Sequence, residues 1–257
     1  METTKNQTFR ALHERGFVLP NAWDHASGAL LAEAGFPAVG TTSLGVAAVA
    51  GKPDAAGAIR DETLALARSL ARLPVPVTVD VEGGYSDEPA QVAELAAELA
   101  SLGIAGLNLE DSHADGSPRA PEHHASLVAA ARKAAPDLFL NARTDAFWLS
   151  ERPDLDAALH RARLYAEAGA DGIFVPGAGD DRHVTALVEG IDLPLNLLHL
   201  PGVTEPARLF DLGVRRVSSG SLLYRTALGA AVSAALALTG AGGDRPVPTY
   251  QDVQRLL

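Results

Sequence analysis

The chain has 257 residues, of which 47% are hydrophobic and 21% charged, a composition typical of a folded protein with a sizeable core. Its net charge of −11, with no basic cluster, argues against a nucleic acid or an anionic membrane surface as a partner. There is no cysteine, which excludes disulfides, thiolate metal sites and a thiol acid or nucleophile.

The sequence shows no targeting or membrane segment. Residues 1–7 lack the basic and then apolar pattern of a signal peptide. The longest apolar run, 227–238, is too short and too rich in alanine to span a bilayer. We therefore expect a soluble, cytoplasmic protein with no membrane partner.

Short runs rich in β-branched residues alternate along the chain with Ala-, Leu- and Glu-rich stretches of helical spacing, such as 88–102 and 155–168. The eight predicted strands are 17–23, 38–43, 75–82, 106–112, 138–145, 172–176, 193–199 and 215–219. Phrases such as Glu167-Ala-Gly-Ala-Asp-Gly-Ile recur before strands and place a glycine at the end of the preceding helix. Since no linker divides the chain, the pattern predicts one α/β domain over 1–257, a (β/α)8 TIM barrel with 240–257 as a C-terminal tail.

A doubly wound open sheet is the alternative arrangement of alternating strands and helices. Such a sheet usually carries a Gly-rich phosphate loop after its first strand, and residues 21–26 do not form one. The pattern therefore favours the barrel.

The predicted strands end in polar residues, and in a barrel these carboxyl ends build the active site. Asp80 and Glu82 share a face because they are two apart in one strand, and Glu110 ends the next strand. Burying unpaired carboxylates is costly, so a cation is expected among them. Oxygen ligands suit Mg²⁺, with Mn²⁺ possible, rather than Zn²⁺. The alternative is that these acids bond to backbone amides or form a salt-bridged network with Arg143.

Other strand-end residues are candidates for binding a substrate. Arg143 is suited to hold a carboxylate or phosphonate, because its planar guanidinium binds such groups with two hydrogen bonds. Tyr85 could donate to an oxyanion or simply pack, and the run from Thr42 to Gly45 could supply donors or simply cap a strand. His113 lies in the loop after the fourth predicted strand. No Gly-x-Ser-x-Gly turn is present to support a serine triad.

Taken together, these residues resemble the isocitrate lyase / phosphoenolpyruvate mutase superfamily over nearly the whole chain. The matching stretches are Thr41 to Gly45 (TTSLG), Pro76 to Tyr85 (PVTVDVEGGY), Leu107 to Asp111 (LNLED), Asn141 to Ala146 (NARTDA) and Ala166 to Asp171 (AEAGAD). The resemblance implies a (β/α)8 barrel, usually tetrameric, whose last helices are exchanged between neighbouring subunits. It also implies Mg²⁺ and a 2-oxo acid of the enolpyruvate type, with C–C or C–P bonds made or broken next to it.

Carried over by position, the resemblance makes Asp80 a metal ligand and places Glu82 and Glu110 at the metal or its waters. Arg143 would hold the substrate. Asp54, after the second strand, falls near a family aspartate that faces the site. The resemblance also implies carboxylate and oxyanion contacts from Ser43, Leu44 and Gly45, and it matches Asn196 to a substrate-carboxylate contact on the seventh strand.

The chain also departs from the family pattern. The metal motif usually reads Asp-x-Asp-Thr-Gly-Tyr-Gly, and here Asp80 to Ser86 reads DVEGGYS. The lyase branch has Lys-Lys-Cys-Gly-His after the fourth-strand glutamate, whereas 112–121 is a short loop without cysteine. A lyase glutamate after the sixth strand corresponds to Gly177. These differences argue against isocitrate or 2-methylisocitrate cleavage by the usual chemistry, and the longer lid of the mutase branch is not evident.

The sequence therefore predicts a Mg²⁺-dependent enzyme that acts on a small 2-oxo or 2-hydroxy carboxylate through an enolpyruvate-like intermediate. It would cleave an adjacent C–C or C–P bond, with Arg143, Glu110, Asp54 and His113 as candidate catalytic residues and His113 or water exchanging the proton. The alternatives are a class II aldolase-type enzyme, which would prefer aldehyde acceptors, and a non-catalytic relative that binds metal and oxo acid. A homodimer or homotetramer is expected.

Overall fold

The computed structural model describes residues 3–113, 115–148, 154–240, 243 and 245–257. Its strands form one parallel sheet in the order β1-β9-β8-β7-β6-β5-β4-β3-β2. The strands are β1 (Phe17–Leu19), β2 (Asn21–Ala22), β3 (Val39–Thr41), β4 (Val77–Asp80), β5 (Gly106–Glu110), β6 (Phe139–Arg143), β7 (Gly172–Phe174), β8 (Leu195–Leu198) and β9 (Arg216–Ser218).

Helices alternate with these strands and cover the outside of the sheet. They are α1 (Lys5–Arg15), α2 (His25–Glu33), α3 (Ser43–Ala50), α4 (Arg60–Leu70), α5 (Pro89–Ser101), α6 (Pro121–Ala134), α7 (Leu155–Glu167), α8 (Asp181–Gly190), α9 (Pro206–Asp211), α10 (Leu222–Ala237) and α11 (Tyr250–Gln254). Among the helices of the described ranges, none has both the length and the apolar character needed to cross a bilayer.

The nearly closed sheet confirms the predicted (β/α)8 class, although the first predicted strand is split into β1 and β2. Pro20 separates them because it has no N–H to donate to a neighbouring strand. Its carbonyl still accepts a hydrogen bond from the Gly40 N–H at 2.9 Å. β1 pairs with β9 and β2 with β3, so this broken strand joins the two sides of the barrel.

The helices pack through stripes that the sequence already shows. α5 begins with a proline and buries Val92, Leu95, Ala96 and Leu99. These positions are spaced by three and four residues, so they lie on one face of the helix against the strands. The predicted helices over 88–102 and 155–168 correspond to α5 and α7, which end within a residue or two of those bounds.

The barrel interior contains a polar layer between the two ends of the strands. Asn141 donates from Nδ2 to Asn108 Oδ1 at 2.9 Å, and Arg216 donates to the same oxygen at 2.6 Å. All three residues are buried. Asn108 and Asn141 are paired in register two residues before Glu110 and Arg143, so this polar layer lies directly beneath the strand ends.

The C-terminal segment returns to the barrel. α10 buries only Tyr224 and Gly229, and it leaves Val232 at 52% exposure. α11, which lies within the predicted tail, packs beside α3, where Val253 joins Leu44 and Tyr224 in a small apolar cluster.

His124 of α6 gives a stability prediction. It is fully buried and takes one position of an apolar stripe that continues with Leu127, Val128 and Ala131. Burial lowers the pKa of His124 from its ordinary value to about 3, and the charges of Arg119 and Arg161 act in the same direction. The unfolded chain takes up this proton near pH 6.5, so stability present above that pH is lost as the pH falls towards 3.

We expect His124→Phe to keep the apolar stripe and to remove this proton uptake. Between pH 7 and pH 5 the free energy of unfolding of the wild type should fall by about 2 kcal/mol more than that of the variant. Urea denaturation at the two pH values measures this difference, with His160→Gln on the exposed face of α7 as the control. Equal losses in wild type and His124→Phe would contradict the assignment.

Candidate active site

A largely buried arginine, with its side chain 16% exposed, lies at the centre of the strand ends. Arg143 ends β6 directly beside Glu110 at the end of β5, because the two residues are paired in register. Arg143 Nη1 lies 2.7 Å from Glu110 Oε2, and its Nε lies 2.6 Å from Asp145 Oδ1. The Ser112 hydroxyl donates to Asp145 Oδ2 at 2.8 Å and to Glu110 Oε1 at 3.2 Å. The guanidinium is therefore held between two carboxylates that a hydroxyl ties together.

Electrostatics keep this guanidinium charged. Burial alone would lower the pKa of Arg143, but the charges of Asp145 and Glu110 raise it above its ordinary value. Its Cζ also lies 5.6 Å from the ring centroid of Phe174 on the neighbouring strand, within the range of a cation–π contact. A permanent cation at this position can bind and orient an anionic substrate.

A second layer of contacts holds Asp145. Asp111 accepts a hydrogen bond from the Asp145 backbone N–H at 2.9 Å. The other Asp111 oxygen accepts from Arg161 Nη1 at 2.8 Å and from the Tyr165 hydroxyl at 2.6 Å. Asp111 follows Glu110 in sequence but supports the site from behind. The sequence interpretation assigned no role to Ser112, Asp111 or Asp145, because their partners come from other strands and helices.

Asp80 ends β4, but Glu82 lies two residues beyond the strand, so the predicted shared strand face does not extend to Glu82. Burial raises the pKa of Asp80; the Arg143 charge opposes this and the Asp54 charge adds to it. Burial likewise raises the pKa of Glu82 to about 7. Glu82 has a left-handed backbone, with φ of 49°, and its Oε2 accepts a hydrogen bond from the Gly57 N–H at 2.8 Å. Strained backbone of this kind is typical of functional loops.

The acids at these strand ends offer oxygen ligands to a cation. Glu82 Oε1 and Asp54 Oδ1 are buried and have no hydrogen-bond partner within the described ranges. Nowhere in those ranges do three Asp, Glu or His side chains stand close enough to enclose a metal by themselves. The unpartnered oxygens are of the kind that a hard cation such as Mg²⁺ prefers, and such a cation would have to keep several of its waters. The assignment of Asp80, Glu82 and Glu110 as metal ligands stays a prediction.

The residues from Thr42 to Gly45, which were predicted to supply hydrogen-bond donors, lie at the start of a helix. The strand ends at Thr41, two residues earlier than expected, and α3 starts at Ser43 with Thr42 as its N-cap residue. The backbone N–H groups of a first helical turn have no partner within the helix, so those of Ser43, Leu44 and Gly45 are suited to bind an anion. The Leu44 side chain is buried against Tyr224, so only its backbone can take this role.

The remaining predicted contacts differ in their surroundings. The Tyr85 hydroxyl shares a 2.8 Å hydrogen bond with Thr63 Oγ1, which already fixes this group against α4. Asn196 is buried, and its Nδ2 has no partner among the residues described. His113 is partly exposed, with its Nδ1 3.7 Å from Asp87 Oδ1. Their roles in substrate binding and catalysis stay predictions.

A cavity of about 710 Å³ opens between the loops that follow α3, β4 and β5. It brings together four of the predicted residues on its wall: Glu82, Tyr85, Glu110 and His113. The remaining predicted residues do not line it: Asp54, Asp80, Arg143, Asn196 and the run from Thr42 to Gly45. The cavity is therefore an entrance that meets the acid cluster at Glu82 and Glu110.

Arg119 is a residue of this cavity that the sequence interpretation missed. It is buried, and it donates from Nε and Nη2 to Asp87 Oδ1 at 3.0 and 2.8 Å. Its Nη1 lies 3.4 Å from Gly83 O and 3.3 Å from Glu110 O. A Cβ on Gly83 would stand 3.1 Å from Arg119 Nη2 and 3.0 Å from Ser112 O. The arginine thus fills the space above the position where the related metal motif has threonine.

At Gly177, too, neighbouring atoms leave little room for a side chain. It has a left-handed φ of 89°, and a Cβ there would stand 2.9 Å from the carbonyl oxygen of Phe147. A glutamate at this position would therefore displace the backbone after β6. At both Gly83, in the metal motif, and Gly177, at the lyase glutamate position, a larger side chain would meet neighbouring groups of this chain.

A parallel α/β barrel with acids and a buried arginine at its strand ends is the arrangement of an enzyme that binds a small anion. The family model described as phosphoenolpyruvate phosphomutase matches residues 9–239. The chain belongs to the phosphoenolpyruvate mutase / isocitrate lyase superfamily. This confirms the resemblance stated from the strand-end motifs.

Individual relatives cover most of the chain. An uncharacterized protein of Mycobacterium tuberculosis H37Rv is 44% identical over 253 residues, which is 97% of this chain and 96% of that one. An oxaloacetate decarboxylase of Pseudomonas aeruginosa is 33% identical over 236 residues, covering 86% of this chain and 80% of that one. A crystal structure from Burkholderia cenocepacia J2315, provisionally named a phosphonomutase, has a TM-score of 0.86 and 38% identity. It covers 90% of this chain and 98% of that one. These relatives support an enzyme of the general lyase and mutase class.

Asp111 allows a test of the support behind Arg143. In Asp111→Asn the partly buried Arg161 loses its charged partner, which should lower the free energy of unfolding by about 1.5 kcal/mol. Since Asp111 also holds Asp145, the variant should bind oxalate at least about tenfold more weakly in calorimetry with Mg²⁺.

Asp171 provides the matched control at the opposite end of the barrel. It pairs with Arg10 and Arg132 and accepts the Leu140 N–H at 2.8 Å. Asp171→Asn should therefore lower stability and leave oxalate affinity unchanged. An equal loss of affinity in both variants would show that Asp111 acts only through general stability.

Proposed function

We propose that this protein is a Mg²⁺-dependent enzyme acting on a small 2-oxo or 2-hydroxy carboxylate through an enolpyruvate-like intermediate. It cleaves the adjacent C–C or C–P bond. The observation that carries the proposal is Arg143, a buried cation held between Glu110 and Asp145 beside Asp80 and Glu82. This arrangement offers a positive charge and oxygen ligands at one place, as a substrate with a carboxylate next to a carbonyl requires.

Asp80, Glu82 and Glu110 are the residues that would hold the cation. When bound, a divalent ion supplies positive charge that polarises a substrate oxygen. Glu82 Oε1 is buried and lacks a hydrogen-bond partner in the part of the chain described. A nearby positive charge would offset the cost of burying this oxygen. Mn²⁺ would fit the same oxygens.

The chain's own groups bind and orient the substrate. Arg143 pairs with its carboxylate and stabilises the negative charge that develops as the enolate forms. The N–H groups of Ser43, Leu44 and Gly45 at the start of α3, with Thr42 beside them, bind the remaining carboxylate oxygen. Their fixed orientation in the helix means that little reorganisation is needed during the reaction.

Proton exchange falls to groups around the entrance and the α3–α4 loop. His113 lies on the cavity wall and is the candidate to protonate the carbanion or enolate that bond cleavage leaves, and cavity water competes with it for this role. Asp54 Oδ1, buried and without a partner among the described residues, accepts a hydrogen bond from substrate or water. Tyr85 and Asn196 complete the enclosure from the β4 loop and β8.

Oxaloacetate is the substrate that we place first. The P. aeruginosa relative that carries its name matches 86% of this chain. The chain lacks the cysteine loop of the lyase branch, and the backbone of Phe147 fills the space that a glutamate at position 177 would need. Loss of carbon dioxide from oxaloacetate leaves the enolate of pyruvate, which the site needs only to stabilise and protonate.

The test is pyruvate release coupled to NADH oxidation, with Mg²⁺ and then with excess chelator. Oxaloacetate, phosphonopyruvate and 2-methylisocitrate each report through this product. We expect chelator-sensitive turnover of oxaloacetate, and a loss of at least about a hundredfold in kcat/KM for Asp80→Asn and Arg143→Met. Arg60→Gln on the exposed side of α4 is the control.

Unchanged turnover in Asp80→Asn and Arg143→Met would refute the proposed site. Oxalate binding without turnover of any of the three substrates would instead identify a non-catalytic pocket. A preference for aldehyde acceptors would identify aldolase-type chemistry.

We also propose that the protein forms a homo-oligomer. α10 exposes Val232 to 52%, and Leu238, which follows the helix directly, is 90% exposed. Such exposed apolar groups are suited to contact another subunit. Light scattering during size-exclusion chromatography should give a dimer or tetramer, and Val232→Lys should shift it towards the monomer. A monomeric wild type would refute this proposal.

A further inference from the structure

We infer that Tyr250 of α11 is a positioning residue for Asp54, whose carboxylate it fixes in the site. The inference rests on the proposed function, because it concerns an aspartate of that site. It extends the site to a segment that sequence reasoning treated as a tail.

One turn of α11 holds Asp54 on three sides. The Tyr250 hydroxyl donates to Asp54 Oδ2 at 2.7 Å. Gln254 Nε2 donates to the Asp54 carbonyl at 3.1 Å, and its Oε1 accepts the Asp54 N–H at 3.3 Å. Tyr250 and Gln254 are four residues apart, so they lie on the same face of the helix. Both backbone groups and one carboxylate oxygen of Asp54 are therefore fixed by a single element.

α11 is too short to be stable by helix propensity, so other contacts must hold it. Thr249 and Asp252 form a reciprocal capping box at its start. On its buried face Val253 is only 2% exposed and packs with Leu44 and Tyr224. The helix is thus anchored next to the first turn of α3, which provides predicted substrate contacts.

The loop that carries Asp54 is also held from the opposite side. The Gly57 N–H donates to Glu82 Oε2 at 2.8 Å, and between the two anchors Ala55 has a left-handed φ of 58°. A non-glycine residue in this conformation persists only when its surroundings enforce it. The loop is thus clamped between α11 and the end of β4.

The consequence is a defined role for each oxygen of Asp54. Oδ2 is taken by Tyr250, whereas Oδ1 is buried without a partner in the described ranges. Burial raises the pKa of Tyr250 above its ordinary value, with Asp54 acting in the same direction, so its phenol remains a neutral donor. Tyr250 thereby leaves Oδ1 as the oxygen available for chemistry.

The variant Tyr250→Phe removes this one hydroxyl. With oxaloacetate and Mg²⁺ we expect kcat to fall about tenfold, because a hydrogen bond to a charged group is lost, while KM stays within about twofold. Tyr224→Phe is the matched control, since it removes a tyrosine hydroxyl from the same apolar cluster without touching Asp54. A tenfold loss in both variants, or in neither, would overturn the inference.

A double-mutant cycle with Asp54→Asn shows whether Tyr250 acts through Asp54. In the Asp54→Asn background, Tyr250→Phe should lower kcat by less than about twofold, because its partner is already altered. Independent losses that multiply would overturn the positioning role.

Hydrogen exchange of residues 51–59 gives a readout that does not depend on turnover. Tyr250→Phe should speed exchange in this loop, and Tyr224→Phe should not. If the wild type releases no pyruvate from any substrate, the proposed function fails, but hydrogen exchange still tests the Tyr250–Asp54 hydrogen bond. Faster exchange in Tyr250→Phe supports a role of this hydrogen bond in fixing the loop, and equal exchange rates overturn it. Faster exchange with unchanged kcat would reduce Tyr250 to a structural contact and overturn its positioning role.

Discussion

The pairing of Arg143 with Glu110 and Asp145 is the interaction on which the rest of the site depends. Several carboxylates are buried near one another here, and their mutual repulsion and loss of hydration both oppose folding. A guanidinium at 2.7 and 2.6 Å from two of them offsets part of this cost. Glu82 and Asp54 each keep one buried carboxylate oxygen without a partner in the described part of the chain. A metal ion or a substrate donor can satisfy these two oxygens.

The barrel supplies this pairing through strand register. Neighbouring parallel strands place Glu110 beside Arg143 at one level, and the polar layer of Asn108, Asn141 and Arg216 lies deeper along the same strands. The reactive end is thus separated from the closed interior by chain geometry alone. Loops after α3, β4 and β5 then need only shape the entrance.

The sequence predicted what depends on local patterns. The alternation of strands and helices, the stripe on α5, and the acids and arginine at the strand ends all follow from periodicity and from the placement of charge. Sequence patterns did not indicate the break at Pro20, because a proline within an apolar run does not show on which side its strand is paired. The roles of Arg119 and Tyr250 were not predicted for another reason. The Tyr250 hydroxyl contacts Asp54, which is 196 residues earlier in the chain, and contacts between residues so far apart leave no local sequence pattern.

The fit of Arg119 over Gly83 restricts how this branch of the superfamily can change. A single exchange of Gly83 for threonine would push a Cβ to 3.1 Å from a guanidinium nitrogen that is itself bound to Asp87. A single loss of Arg119 would leave the Gly83 turn uncovered and the Asp87 carboxylate without its partner. Threonine at position 83 therefore requires Arg119 and the Ser112 carbonyl to shift by a few tenths of an ångström, and a smaller residue at 119 would remove the first of these contacts. Each of the two residues is thus part of the environment to which a change in the other must be fitted.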